Sequence, residues 1–89
     1  MNTEKLMEQM RDCAFFLYQN SEQEAYGKLN EILPQMNQML QSVMQTSIEL
    51  ERIVVMVLNQ FLDAYQQRDN LALADLLNYE IPAVLAAVN

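Results

Sequence analysis

Apolar residues recur along this chain at steps of three and four, the period of one helix face. No alternating pattern bounded by turn residues marks a strand. Leu6, Met10, Cys13 and Leu17 form the first stripe, which Phe16 widens, with Phe15 and Tyr18 beside it. Thr3 is the expected N-cap and Glu4 favours the positive end of the helix dipole. Asn20-Ser21 is expected to end this helix and begin the next.

Ser21-Glu22-Gln23-Glu24 reads as a capping box, in which Ser21 satisfies a backbone amide and Glu24 reaches back. Behind it, Ala25, Leu29, Ile32, Met36, Met39 and Val43 form a heptad seam. Pro34 lies inside that run and removes a backbone donor. The apolar phase continues across it, which predicts one kinked helix rather than two. Gly27 weakens the same helix by about 1 kcal/mol relative to Ala.

The phase runs on through Leu50, Val54, Val57, Phe61 and Ala64. A continuous helix over 22–68 would be roughly 70 Å long and leave too little chain to cover its apolar face. A tight break at 45–47 is therefore expected, with Thr46 and Glu49 as a second capping pair. Ile53 to Leu58 is apolar on every side, which suits a central helix or a subunit interface.

Asp69-Asn70 supplies the next cap. The last helix carries Leu73, Leu77, Ile81, Val84 and Val88, interrupted by Pro82. The uncharged tail Ala83–Val88 needs a surface to lie on. The sum is an all-α, antiparallel four-helix bundle. Its helices cover about 3–20, 22–45, 47–68 and 70–88, with kinks at Pro34 and Pro82, in one domain over 1–89. A chain of this size buries only about 60 % of its unfolded surface, so a homodimer would add stability.

Charge and composition narrow the chemistry. Five Lys and Arg against twelve Asp and Glu give a net charge of −7, which argues against a nucleic-acid surface. Zero His removes the commonest general base and metal ligand, and one Gly leaves no phosphate-cradling loop. One Cys forms no internal disulfide and fits a reducing compartment. The opening Met1-Asn2-Thr3-Glu4-Lys5 lacks a secretory pattern. The longest apolar runs, six residues as in Ile53–Leu58, are far short of the roughly 20 residues that span a bilayer. No membrane, metal or cofactor is expected, and the cytoplasm is the expected compartment.

Glu22/Glu24 and Glu49/Glu51 point to different helix faces, so they read as caps and solvated charge rather than paired catalytic carboxylates. Cys13 sits in an apolar stripe and reads as core. The four Tyr suit bundle edges, ring packed and hydroxyl wet. Met7 and Met44 stand off the seams and suit an adaptable groove. The Gln-rich polar faces suit helix–helix contacts that bury no charge.

The segment from Tyr65 to Glu80 resembles the last helical hairpin of FliS-like flagellar export chaperones. The shared points are an aromatic and basic helix end at Tyr65–Arg68, an Asp69-Asn70 turn, and Leu71–Leu76 with its acidic Asp75. The resemblance covers under a quarter of the chain. It implies a cytoplasmic antiparallel four-helix bundle that binds a helical, disorder-prone segment of a flagellin-like partner.

The expected function is a protein-interaction module that grips a partner's amphipathic helix in a groove. Met7, Phe15, Tyr26, Met44, Val84, Leu85 and Val88 are the candidate contacts. The alternatives are a structural homodimer and an acidic regulator that blocks a DNA-binding protein. An enzyme is the class least expected.

Overall fold

The computed structural model describes residues 3–87. Helix α1 covers Thr3–Tyr18, α2 Glu22–Met44 and α3 Ile48–Gln67. The last helical segment has three parts: α4 (Asn70–Asp75), a π-helical turn (Leu76–Glu80) and α5 (Ile81–Ala86). No strand occurs among the described residues. The protein is an all-α four-helix bundle, with the last three parts acting as its fourth helix.

α1 packs mainly on α2 and on the C-terminal segments, whereas α3 packs on α2 and on those same segments. α1 and α3 therefore occupy opposite corners. The longest dimension, 36 Å, matches the roughly 34 Å of a 23-residue helix. The radius of gyration, 12.3 Å, is close to the value of about 12 Å expected for a compact chain of this length. The core is apolar throughout: no polar or charged residue is buried among those described.

The break between α2 and α3 falls at 45–47, as the chain's limited length requires. The cap is Ser47 rather than Thr46. Ser47 has extended backbone and its Oγ accepts from the Leu50 amide at 3.1 Å. Thr46 instead donates back to the Ser42 carbonyl at 3.3 Å, still tied to the end of α2. Asp69 caps α4 by accepting from the Ala72 amide. Thr3 is already helical, so the cap position of α1 lies outside the described residues.

The Ser21 capping box does not form: Ser21 occupies the cap position without a side-chain cap bond. Its amide is committed to the preceding turn. Ser21 N–H donates to the Phe16 carbonyl at 2.9 Å and Asn20 N–H to Leu17 at 3.0 Å, around a left-handed Asn20 (φ 57°). That pairing is a Schellman motif, and Asn is one of the few residues that tolerates its left-handed position. α3 ends the same way. Asp69 N–H reaches the Ala64 carbonyl and Arg68 N–H the Tyr65 carbonyl, with Arg68 left-handed at φ 53°.

Arg68 carries the steric cost of that position while its side chain clamps the two turns together. Its guanidinium lies 4.5 Å from the centre of the Tyr26 ring and 3.0 Å from Glu22 Oε2. Asn70 Nδ2 donates to Glu22 Oε1 at 2.9 Å, and Tyr26 Oη donates to Asn70 Oδ1 at 3.0 Å. Tyr65 closes the cluster edge-on against Tyr26.

α2 runs unbroken through Pro34. The carbonyl that Pro34 deprives of a donor belongs to Asn30, an exposed residue. Pro82 does not break its helix either. The turn before it widens, so that Ile81 N–H bonds to the Leu76 carbonyl five residues back, while the backbone stays right-handed helical.

The α2 seam departs from strict heptads at one position. Leu40, not Met39, is fully buried, and Met39 is half-buried. Adjacent helix positions differ by about 100°, so 39 and 40 flank the stripe on either side and the packing neighbours select one. Leu40→Ala is expected to cost about 2–5 kcal/mol and Met39→Ala roughly 1 kcal/mol or less, measured by urea unfolding. At position 68, Gly should be more stable than Ala by about 1 kcal/mol, because Ala keeps the left-handed strain and Gly does not. Equal stabilities would show that the turn relaxes away from that geometry.

Candidate protein-docking surface

α3 has more apolar surface than its neighbours cover. Val54, Val57, Phe61 and Ala64 face the core, with Leu50, Leu58 and Tyr65 half-buried alongside. The expectation that Ile53–Leu58 is a fully enclosed central stretch is overturned within this chain. Ile53, Val55 and Met56 are exposed. The reason is geometric: a corner helix of a four-helix bundle contacts its neighbours over part of its circumference only.

The exposed apolar positions are ordered. Ile48, Val55 and Leu62, seven residues apart, form a second stripe beside the buried one. They are 70 %, 42 % and 54 % exposed. Leu62 borders a groove between α2 and α3. Leu33, Pro34 and Met36 form its α2 wall, and Leu58, Phe61 and Leu62 its α3 wall. The groove encloses about 430 Å³, with Asn37 as its one polar lining residue. α2 packs less closely on α3 than it does on α1.

The sequence-derived contact candidates are scattered. Val84 and Leu85 are buried in the core, so the surface the C-terminal tail required is its own bundle. They offer nothing to a partner. Val88 lies outside the described residues. Tyr26 is taken up by the turn clamp. Met7 packs half-buried against the core. Phe15 is exposed on α1, tilted against Phe16, and does not line the groove. Met44 borders a separate hollow with Ile48 and Glu51.

Ile48, Leu62, Leu33 and Pro34, which border these hollows, were not among the sequence-derived candidates. The signal for α3 was present: a second apolar series at 48, 55 and 62, offset from the 50, 54, 57, 61, 64 series. The α2 wall had no comparable signal, since Leu33 is a single apolar residue beside a proline.

The chemistry-bearing residues are engaged structurally. Cys13 is buried and its Sγ donates to the Ala25 carbonyl at 3.3 Å, joining α1 to α2. Burial pushes its thiol up to about 11, opposed by the nearby Lys28 charge. The Tyr18 hydroxyl donates to Asp75 Oδ1, and that bond holds the phenol up at about 12. A shallow acidic hollow between α3 and the C-terminal segments holds Asp63, Asp69, Asp75 and Glu80. Asp63 accepts from Gln67, Asp69 from the Ala72 amide and Asp75 from Tyr18. Among the described residues, no group of three or more His, Cys, Asp or Glu could hold a metal ion. No described helix is long and apolar enough to cross a membrane.

The architecture is thus a small all-α bundle with one helix left partly uncovered. The chain belongs to the family described as Domain of unknown function (DUF8042), which matches residues 2–89. No curated protein and no solved structure matches it.

A raised thiol pKa stabilises the fold below the unfolded value and loses that contribution as pH rises through the folded one. Cys13 should therefore resist alkylation in the native state at neutral pH and react on unfolding. Unfolding free energy should fall as pH rises from 9.0 toward 11, with a shallower slope in Cys13→Ala. Rapid labelling of native protein by iodoacetamide would contradict the buried placement.

Proposed function

We propose that this chain is a protein-interaction module that receives a partner's amphipathic helix in the groove between α2 and α3. The observation that carries the reading is the groove itself. Its walls are apolar, it is open to solvent, and Leu62 is about half exposed at its edge. An amphipathic helix matches such a surface by laying residues at spacings of three and four into it. Each half-exposed apolar side chain covered by that helix contributes about 1 kcal/mol.

The resemblance of Tyr65–Glu80 to the C-terminal hairpin of flagellar export chaperones supports the same mode. In that form of the reading, the partner is a flagellin-like, disorder-prone segment held until its export or assembly. The cytoplasm is the proposed compartment, because a lone free thiol suits a reducing environment. A binding role also suits the residue chemistry: His is absent and the only thiol is protonated and buried.

Fluorescence titration with amphipathic helical peptides tests this reading. The wild-type chain should bind in the range of about 1–100 μM, and Leu62→Asp or Leu33→Asp should weaken binding by at least about tenfold. Leu62 is exposed and carries the test, whereas Leu33 packs half-buried against the core, so circular dichroism should confirm the helicity of each variant before its affinity is read. Affinity unaltered by either substitution would remove the groove as the binding site.

A further inference from the structure

Among the described residues Ile48 is the most exposed large apolar side chain, and it borders two hollows. One hollow, of about 590 Å³, is bordered by Ile48, Glu51, Arg52, Val55 and Met56. The other lies toward Met44 and the end of α2. Glu51 and Arg52, adjacent in sequence and opposite in charge, thus sit beside the exposed apolar Ile48, Val55 and Met56, with the polar Asn59 and Gln60 completing the first hollow. Neither side chain has a hydrogen bond or ion pair among the described residues. Neighbouring helix positions point about 100° apart, so the two do not face each other within one helix.

We propose that this patch, separate from the α2–α3 groove, is the interface with a second copy of this chain. A two-fold contact requires a surface that complements itself. The patch meets that requirement when two α3 helices lie antiparallel with the axis passing between Glu51 and Arg52. Glu51 then meets the partner's Arg52 and Arg52 meets the partner's Glu51, forming two ion pairs from the two unpaired charges that each protomer brings. Ile48 falls opposite the partner's Val55 and enters the hollow that Val55 and Met56 border. The same contact is repeated on the other side of the axis. Two helical turns, about 10.5 Å, separate Ile48 from Val55, so both knobs and both ion pairs fit along one stretch of α3. Self-complementarity is what selects a second copy over an unrelated partner. A partner of uniform charge would satisfy one of the two residues and repel the other.

Sedimentation velocity on the full chain across the micromolar range tests the proposal. The wild type should show a concentration-dependent monomer–dimer equilibrium. Glu51→Lys and Arg52→Glu should each weaken dimerisation by at least about tenfold, since each places like charges across the axis. The Glu51→Lys/Arg52→Glu double variant, which reverses both charges, should restore it. Both residues are exposed, and circular dichroism should confirm folding of every variant. A strictly monomeric wild type, single variants that dimerise normally, or a double variant no better than the singles would overturn the proposal. Peptide binding in the groove is read separately through Leu62→Asp. A monomer that still binds peptide refutes only the self-association, and a dimer that binds none refutes only the groove.

Discussion

A bundle of four short helices cannot cover all the apolar surface that α3 presents. That shortfall governs the rest of the molecule. α1 and α2 close on each other through Leu6, Met10, Cys13 and Leu17 against Ala25, Leu29 and Ile32, and the C-terminal segments complete that layer. α3 joins from the opposite corner and spends one stripe, Val54 to Ala64, on the core. Its second stripe, Ile48 to Leu62, is left facing water. In a protein whose other surfaces are rich in Gln, Asn and carboxylates, exposed apolar positions in helical register are the feature that needs a physical explanation.

The turns keep this arrangement in place without glycine. Both αL positions, Asn20 and Arg68, carry side chains, and the second is a residue that pays a steric cost there. The Glu22–Arg68–Tyr26–Asn70 cluster accounts for its retention, because it ties the α1–α2 turn to the α3–α4 turn at one end of the bundle. The opposite end, where α2 passes into α3, has no such clamp. Ile48, Met44 and the open hollows lie there. One end is held by charge and aromatic contact, and the other is available for contact.

The two proline sites show how helix continuity survives a missing donor. Pro34 leaves its orphaned acceptor on an exposed face, so α2 continues. Pro82 follows a π-helical turn that shifts the hydrogen-bond partner by one residue. In both cases the apolar stripe keeps its direction: Ile32 and Met36 stay buried around Pro34, and Ile81 and Val84 around Pro82. Burial of those side chains outweighs the local loss of one backbone bond.

Periodicity, length and turn chemistry determined the helices, their approximate ends, the break at 45–47 and most of the buried stripe. Those follow from local physics: the helical repeat, caps at Asp69, and the limit on how long an uncovered rod this chain can sustain. Tertiary structure alone decided between Met39 and Leu40, assigned Val84 and Leu85 to the core, and gave Ser21's amide to the preceding turn. It also decided which apolar side of α3 meets water. A stripe fixes a helix's apolar direction only to within about half the angle between successive residues. Where two faces are both greasy, the positions of the neighbouring helices choose the one that is hidden.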